Sequence, residues 1–247
     1  MQDPVHSDEL KAKASVALIL AFVAGVVDII GYLSFGGMFT AHLTGDTVHL
    51  GQKVLDQQWA GAITAATIIA AFVGGSLVGR AVIEIGARRN LRSITVVTLA
   101  LEAALLSAVV LSETANPLLL LGLLAVAMGM QTATLTRVGP LTIHTTFITG
   151  MLNKLAQLLS HATFLTYDLM HGSQSARRSR SQVLRNARFI FSLWFLYLSG
   201  AMAGTWMHGR WNIHALLLPI CLLVAVVAFV GFVAPLSLQE EREISER

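Results

Sequence analysis

Long apolar stretches alternate with short polar links along the chain, at a spacing typical of membrane-spanning helices. Six such stretches occur, at residues 15–34, 60–82, 94–111, 117–136, 189–207 and 213–233. Roughly 20 apolar residues cross a bilayer, so six helices take about 120 residues, about half of this 247-residue chain. The pattern therefore predicts an all-α integral membrane protein with six spanning helices.

Two further segments are apolar but interrupted by polar residues, at 38–50 (MFTAHLTGDTVHL) and 141–159 (LTIHTTFITGMLNKLAQLL). The first contains the pair Thr44-Gly45 and the second the pair Thr149-Gly150. Polar groups are costly against lipid, and non-helical backbone at membrane depth is tolerated only inside protein or beside a cavity. We therefore expect two broken, re-entrant segments at these positions.

The two halves of the sequence share landmarks in the same order, which indicates an internal repeat. The matched landmarks are Asp28 with Gln131, Thr44-Gly45 with Thr149-Gly150, and Gly75 and Gly79 with Gly200 and Gly204. We expect repeat 1 at 15–112 and repeat 2 at 113–235 within one membrane domain. A cytoplasmic N-terminal tail is predicted at 1–14 and a polar C-terminal tail at 236–247.

The charges of the loops favour one of two topologies. The most basic loops, at 80–92 and 177–188, face opposite sides if all eight segments cross, against the tendency of basic loops to be cytoplasmic. If both broken segments re-enter, both basic loops and the N-terminus are cytoplasmic, and each half crosses three times. This favours a 3+3 inverted-topology repeat, an architecture of secondary transporters. Eight helical segments stay open as the alternative, because residues 141–170 are long enough to cross.

Composition excludes several classes of protein. Hydrophobic residues make up 55% of the chain and charged residues 13%, with a mean hydropathy of +0.68, which excludes a disordered chain. The net charge of +3 is too small to indicate a nucleic-acid partner. The single cysteine, Cys221, excludes an intrachain disulfide and a cysteine-based metal cluster.

The segment around Asp28, GGMFTAHLTGDTVHLG, GMQTA and TTFITGMLNKLA together resemble the YoaK-type family of bacterial inner-membrane proteins, a domain of unknown function. The resemblance covers about residues 16–233. It implies a multi-pass membrane protein of the bacterial inner membrane and no particular substrate. That family usually has Met-Thr-Gly-Asn in its first broken segment, so Asp46 places an ionisable group where the family has an amide. The departure puts the coupling chemistry of the relatives in doubt here.

Among the polar residues of the predicted spans, Asp28, Glu102 and Gln131 are the candidates for function. A carboxylate inside a spanning helix costs about 2.5–3.5 kcal/mol on insertion scales. Asp28 is therefore expected either to face a cavity and bind a cation, a proton or a polar substrate group, or to pair with the backbone of the broken segment. For Glu102 two roles stay open, a proton carrier and a polar contact within the helix bundle. Gln131 cannot titrate but can donate and accept hydrogen bonds.

The two Thr-Gly pairs are the second candidate feature. Glycine permits the backbone to leave helical geometry, so an unwound turn at Gly45 and Gly150 would free carbonyl groups for cations and N–H groups for anions. The hydroxyls of Thr44 and Thr149 can replace the lost backbone bonds. Close packing of small residues between helices is the alternative interpretation.

His42, Asp46 and His49 are spaced so that they share one face of a helix. The spacing does not match an established zinc site, so we predict no metal site and no cofactor. His42 and Asp46 are kept as candidates for a response to protons. Asn153, which flanks the second broken segment, is grouped with the candidate substrate-binding residues.

The sequence thus predicts a small-solute secondary transporter of the bacterial inner membrane, not an enzyme, with substrate bound between the two Thr-Gly segments. Its expected partners are a small molecule or ion and the lipid bilayer, with no nucleic acid. A membrane-embedded enzyme acting on a lipid or small metabolite, and a passive channel, are the alternatives. A homodimer stays open, with faces containing Gly75 and Gly79 or Gly200 and Gly204 as candidate contacts.

Overall fold

The structure is a computed structural model that describes residues 4–89, 94–138, 141–171 and 175–232. Over these residues the chain forms α-helices joined by short links, one 3₁₀ turn and a small antiparallel hairpin. In chain order the elements are α1 (Pro4–Ser34), α2 (Leu43–Leu55), α3 (Trp59–Arg88), α4 (Ile94–Leu111), α5 (Pro117–Thr134), β1 (Arg137–Val138), β2 (Leu141–Thr142), α6 (Ile148–Met170), α7 (Ala176–Trp211), the 3₁₀ turn (Asn212–Leu216) and α8 (Leu217–Phe232).

Five stretches of the described residues are long and apolar enough to cross a membrane. They are residues 9–34 of α1, then α3, α4 and α5, and a 56-residue stretch that contains α7, the 3₁₀ turn and most of α8. In contrast, α2 has 13 residues and is about 20 Å long, shorter than the roughly 30 Å of a hydrocarbon core. The chain is therefore a multi-pass, all-α membrane protein.

Two helix boundaries follow local signals in the sequence. α5 begins where the Asn116 side chain accepts a hydrogen bond from the Leu118 N–H at 2.9 Å, with Pro117 in the first helical turn, and both residue types favour a helix start. α7 ends before Asn212, whose φ of 47° lies in the left-handed region. This residue divides the long apolar stretch into two helices, close to the predicted spans at 189–207 and 213–233.

Some predicted boundaries are wrong. α1 already begins at Pro4, eleven residues before the predicted start of the first span at residue 15. α7 begins at Ala176, so all five basic residues of 177–188 lie on a helix and not in a loop. These extensions are polar, and a search for continuous apolar residues therefore misses them. The β1–β2 hairpin was not predicted, because two-residue strands leave no alternating pattern. The predicted tail at 236–247 lies outside the described residues.

α1 and α7 lie in close contact and run parallel. A Cβ atom added at Gly200 would overlap the carbonyl oxygen of Phe22, so the two backbones touch at this point. One turn further along both helices, a Cβ atom at Gly204 would lie 3.2 Å from the Cα atom of Val26. Because the contact advances in the same sense on both helices, α1 and α7 point in the same direction.

α3 and α5 pack in the same way. A Cβ atom added at Gly75 would overlap the carbonyl oxygen of Val126, and one at Gly79 would lie 3.1 Å from the Cα atom of Met130. These contacts also advance together, so α3 and α5 are parallel. Small residues that let backbones approach are a general device of helix packing in membranes, where dispersion contacts replace the hydrophobic effect.

The predicted homodimer contacts are not available in the places proposed for them. Gly75 and Gly79 are buried against α5, and Gly200 and Gly204 are buried against α1. Faces that are used for packing within one chain cannot also receive a second copy. The small-residue motifs are therefore intramolecular contacts.

α1 and α5, the most buried of the spanning stretches, run antiparallel. The Gln131 side chain near the end of α5 donates a hydrogen bond to the carbonyl oxygen of Leu20 in the first half of the α1 span. Towards the end of α1, Gly31 faces Leu124, which lies earlier in α5. The contacts therefore move in opposite senses along the two helices.

α4 and α8 are likewise antiparallel. Val96 at the start of α4 faces Gly231 at the end of α8, and Glu113 just after α4 lies 3.6 Å from His214 just before α8. α4 and α5 form a helical hairpin through the short link at 112–116. Together, α1, α4 and α7 point in one direction, and α3, α5 and α8 point in the other.

Candidate functional site

The link between α1 and α2 turns back into the protein and is held by Asp28. After α1 ends, the chain reverses through Gly36 and Gly37, whose φ values of 68° and 83° are strained for residues with a side chain. It then returns to the level of Asp28, whose Oδ1 accepts hydrogen bonds from Thr40 N (2.7 Å), Thr40 Oγ1 (2.9 Å) and Ala41 N (3.0 Å). We call residues 28–46 the first corner.

The other oxygen of Asp28 reaches a different helix. The Tyr197 hydroxyl of α7 donates a hydrogen bond to Asp28 Oδ2 at 2.6 Å. With four donors in all, the carboxylate is compensated although the residue is only 4% exposed. Of the two roles predicted for Asp28, the structure contains the pairing with the broken-segment backbone, and the same residue also borders a cavity described below.

The link between α5 and α6 is held without a carboxylate: neutral groups bind it beside α5, and the Lys154 ammonium of α6 donates to the Thr142 carbonyl oxygen at 2.9 Å. Gln131 Nε2 donates to the Leu20 carbonyl oxygen (2.9 Å) and to Thr145 Oγ1 (3.0 Å). The hydroxyls of Thr132 and Thr146 share a hydrogen bond of 2.7 Å. The β1–β2 hairpin carries the chain away from α5 and back to this point. We call the described part of residues 131–151 the second corner.

The Thr-Gly pairs lie in the first turns of α2 and α6, and the prediction of an unwound turn at the glycines is wrong. Each helix has a ring at its N-cap, His42 for α2 and Phe147 for α6. A Cβ atom at Gly45 would lie 2.7 Å from the His42 ring, and one at Gly150 would overlap the Phe147 ring. The glycines therefore make room for these rings, and the non-helical backbone precedes the Thr-Gly pairs.

A cavity of about 570 Å³ lies between the two corners. This volume is within the usual range for small-molecule sites, which are mostly apolar with a few polar groups. The residues that line it come from both corners and from α3 and α7: Asp28, Phe39, Ala41, His42, Leu43, Thr44, Phe72, Thr132, His144, Thr146, Phe147, Ile148, Thr149 and Tyr197.

The N-terminal ends of α2 and α6 both border this cavity. No side chain of either N-cap residue accepts a hydrogen bond from its own helix. The first N–H groups of a helix lack partners within the helix, and the peptide dipoles add about half a positive charge there. Two helix ends therefore direct partial positive charge towards one enclosed space.

Two titratable groups near the cavity, both outside the spanning helices, have shifted pKa values. Burial raises the pKa of Asp46 to about 6; the Asp28 carboxylate also raises it, whereas His42 lowers it. Burial lowers the pKa of His144, and the Lys154 ammonium lowers it further. The first corner thus contains two acidic groups that repel each other, whereas a lysine lies near the second corner.

The predicted site residues separate into three groups. Asp28, His42, Thr44 and Thr149 line the cavity, and Gly45 and Gly150 lie behind the cavity wall. The buried residues Asp46 and Gln131 lie in the corners without lining the cavity. Glu102 is fully buried on α4, and Asn153 is exposed on α6; neither borders the cavity.

The histidine and aspartate cluster of α2 does not assemble as one helical face. His42 precedes the helix as its N-cap, Asp46 is buried, and His49 is exposed. Among the described residues, no group of three or more His, Cys, Asp or Glu side chains could hold a metal ion.

Sequence reasoning missed the partners of the predicted residues. Tyr197 and Phe72 both line the cavity, and each lies three positions before a glycine of the small-residue motif, Gly200 or Gly75. That spacing was a usable signal, because three residues place two side chains on neighbouring positions of one helix. Thr40 had no comparable signal, since its role depends on the return of the loop to Asp28.

Comparisons with known proteins agree with the architecture. Residues 16–229 match the family described as "Protein of unknown function (DUF1275)". The chain is 32% identical over 134 residues to the UPF0700 transmembrane protein YoaK of Bacillus subtilis (strain 168). That alignment covers 52% of this chain and 59% of the Bacillus protein, so the chain spans about three fifths of the relative it matches. No solved structure matches this chain.

Proposed function

Since the chain belongs to the DUF1275 family of proteins of unknown function, we propose that it is a small-solute secondary transporter that binds its substrate in the cavity between the two corners. The membrane is the bacterial inner membrane in this proposal, and the N-terminus is cytoplasmic. Relative movement of the helices around the cavity would expose the solute to each side in turn.

One observation carries the proposal: the cavity is built from equivalent positions of the two halves. Its fourteen lining residues form seven pairs, of which five share a spacing of 105 residues. The other two have spacings of 104 and 125 residues, the same as those of Gly25 with Gly129 and of Gly75 with Gly200. The pairs are Asp28 with Thr132, Phe39 with His144, Ala41 with Thr146, His42 with Phe147, Leu43 with Ile148, Thr44 with Thr149, and Phe72 with Tyr197. A chance pocket would take unmatched residues from each half, so the pairing supports a repeat whose symmetry axis passes through the cavity.

The glycine contacts give the register of this repeat independently of the cavity. Gly25 of α1 lies against the Tyr197 carbonyl of α7, and Gly129 of α5 lies against the Phe72 carbonyl of α3. This matches Gly25 with Gly129, and hence Asp28 with Thr132. The register differs by one residue from the sequence alignment, which matched Asp28 with Gln131.

The directions of the helices support six crossings. α1 and α3 are antiparallel, so the chain has no net crossing between them and α2 returns to the side it came from. The same holds for α6 between α5 and α7. Each half then crosses three times in opposite senses, as in inverted-repeat transporters, which place substrate at short or broken helices near the midplane.

The charges support the orientation. The end of α3 and the start of α7 lie on the same face, because these helices point in opposite directions. That face carries Arg88, Arg89, Arg177 and Arg178, and basic residues are enriched on the cytoplasmic side. The start of α1 lies on the same face, which supports a cytoplasmic N-terminus.

Single-cysteine labelling tests the proposal. Cys221 is exposed on α8, away from the cavity, so a Cys221→Ser background leaves the site intact. In that background, Thr44→Cys and Thr149→Cys are each labelled with a membrane-impermeant maleimide in right-side-out and in inverted vesicles. If the protein is a transporter, each cysteine should be labelled from both sides of the membrane. Reagent bound from one side should then slow labelling from the other side. Leu77→Cys, which is 66% exposed and faces lipid, is the control that stays unlabelled.

Cysteines at three positions outside the cavity determine the number of crossings in the same assay. Asp56→Cys, Thr114→Cys and Ser175→Cys follow α2, α4 and α6 respectively. Six crossings place positions 56 and 114 outside and position 175 inside, whereas eight crossings place all three inside. Labelling of the cavity cysteines from one side only would contradict a transporter, and simultaneous unhindered labelling from both sides would indicate a channel.

A further inference from the structure

The cavity is asymmetric in charge although it is nearly symmetric in shape. At the first corner, Asp28 borders the cavity and the buried Asp46 lies in the first turn of α2. At the matching positions of the second corner stand Thr132 and Met151, which are neutral. The first turn of α6 contains no acidic residue. The dipole of α2 is therefore opposed by two carboxylates, whereas that of α6 is not.

The acidic end has free acceptor capacity. Asp28 Oδ1 accepts from three donors, whereas Oδ2 accepts from the Tyr197 hydroxyl alone within the part of the chain that the structure describes, which leaves it room for a second donor. Asp46 is 2% exposed, and its Oδ2 has no hydrogen-bond partner among the described residues. Buried acceptors without donors are rare in folded proteins, because each loses its hydration without a replacement. A donor group of a ligand in the cavity would bond to Asp28 Oδ2, and the nearby Asp46 carboxylate would add attraction for a positive charge.

The opposite end has donor capacity. The N-terminal N–H groups of α6 face the cavity with no side chain of Phe147 to cap them, and the Thr149 hydroxyl borders the same space. Lys154 in the next turn adds positive charge, which is felt at His144. Helix N-termini with such surroundings bind carboxylate and phosphate groups. The walls between the two ends are apolar and aromatic, including Phe39, Phe72 and Ile148.

We infer that the solute is a small zwitterion of the α-amino-acid type, with its ammonium group towards Asp28 and Asp46 and its carboxylate towards the N-terminus of α6. A purely cationic solute would leave the α6 end without an anion, and a purely anionic solute would add charge next to two carboxylates. The apolar walls fit a hydrocarbon side chain. This inference rests on the proposed function, since it names the solute of the same cavity.

Binding of matched probes to the purified full chain in nanodiscs tests the inference. The zwitterions are glycine, leucine and phenylalanine. Their decarboxylated amines are methylamine, 3-methylbutylamine and 2-phenylethylamine, and their deaminated acids are acetate, 4-methylpentanoate and 3-phenylpropanoate. We expect at least one zwitterion to bind, and its amine and acid to bind about tenfold more weakly or worse, because each lacks one charge-assisted hydrogen bond. This comparison uses the unaltered chain, so it does not depend on a variant that folds.

Two pairs of variants locate the two ends. Asp46→Asn should weaken zwitterion binding about tenfold by removing the neighbouring charge, whereas Asp56→Asn at the exposed far end of α2 should not. Thr149→Val should weaken it by several-fold, whereas Thr163→Val, on an exposed part of α6, should not.

Binding of an acid or an amine as tightly as its parent zwitterion would overturn the inference. Failure of all three zwitterions to bind would also overturn it. If the cavity cysteines are still labelled alternately from both sides in that case, the transporter proposal stands and only the class of solute is wrong. If they are not, the transporter proposal itself has failed.

Discussion

The two corners border the same cavity but are held by different chemistry. In the first corner, the returning loop is bound by the charged carboxylate of Asp28, which accepts two backbone N–H groups and two hydroxyls. In the second, the loop is bound by the amide of Gln131 and by the hydroxyl pair of Thr132 and Thr146. The helices that follow both begin with a ring at the N-cap and a Thr-Gly pair.

This difference shows which groups are needed to return the loop to the cavity and what the Asp28 carboxylate adds. Because the second corner returns to the cavity without a carboxylate, a carboxylate is not required to bring such a loop back into the protein. Its presence in one corner only therefore gives the cavity a direction, with a negative and a positive end. Buried charge is costly even when it is compensated, so a charge that the turn does not need is a candidate for function.

The largest expected effect concerns the contacts that are alike in the two halves. Gly75→Ala and Gly200→Ala should each lower the free energy of unfolding by about 3 kcal/mol, because a Cβ atom at either site overlaps a backbone oxygen that cannot move aside. Thermal unfolding of the purified protein measures both. Gly74→Ala and Gly209→Ala are matched controls, since a Cβ atom there has nothing within 4 Å. Unequal losses of stability for Gly75→Ala and Gly200→Ala would contradict the proposed equivalence of the two halves.

A smaller effect should distinguish the corners. Asp28→Asn replaces an acceptor of four hydrogen bonds by a group that must place one N–H against a donor, at a cost of about 2–3 kcal/mol. Thr132→Val removes a single hydroxyl pair and should cost about 1 kcal/mol. Thermal unfolding compares the two variants, and Tyr197→Phe isolates the single bond to Oδ2. Equal losses for Asp28→Asn and Thr132→Val would show that charge contributes nothing to the first corner.

The smallest expected effect depends on pH. Burial and the Asp28 carboxylate raise the pKa of Asp46 from 3.8 to about 6, so the folded chain binds a proton more tightly than the unfolded chain. Stability from this proton is complete below 3.8 and is lost as the pH rises through about 6.

Asparagine cannot titrate, so the unfolding temperature of Asp46→Asn relative to the unaltered chain should rise between about pH 4 and pH 7. We expect about 1 kcal/mol, because partial solvation screens the charge. Asp56→Asn gives the background change. A difference that falls with rising pH would mean that Asp46 is stabilised as an anion.

Much of the membrane architecture was predictable, because long apolar stretches and small-residue motifs report on one helix at a time. The positions of Asp28 and of both Thr-Gly pairs beside one cavity followed from their duplication. The helical state of Gly45 was not predictable, because the glycine is required by the His42 ring and not by the backbone. A sequence pattern shows that a glycine is present but not which neighbouring group requires it.

Contacts between distant segments were the other failure. The bond from Tyr197 to Asp28 joins residues 169 positions apart. The spacing to Gly200 places Tyr197 on the packed face of α7 but does not identify Asp28 as its partner. Asp28 was paired with Gln131 from position in the sequence, whereas the glycine contacts match it with Thr132. A one-residue shift is invisible to motif alignment but rotates a helical position by about 100°.

The glycine contacts between α1 and α7 and between α3 and α5 have a mechanical consequence. Each contact joins a helix of one half to a helix of the other, with backbones touching. Sliding the first half of the sequence past the second would therefore break both sets of glycine contacts at once. If the cavity opens to alternate sides, the pair α1 and α7 moves as one body and the pair α3 and α5 as the other. The two bodies rock against each other where α1 packs antiparallel to α5.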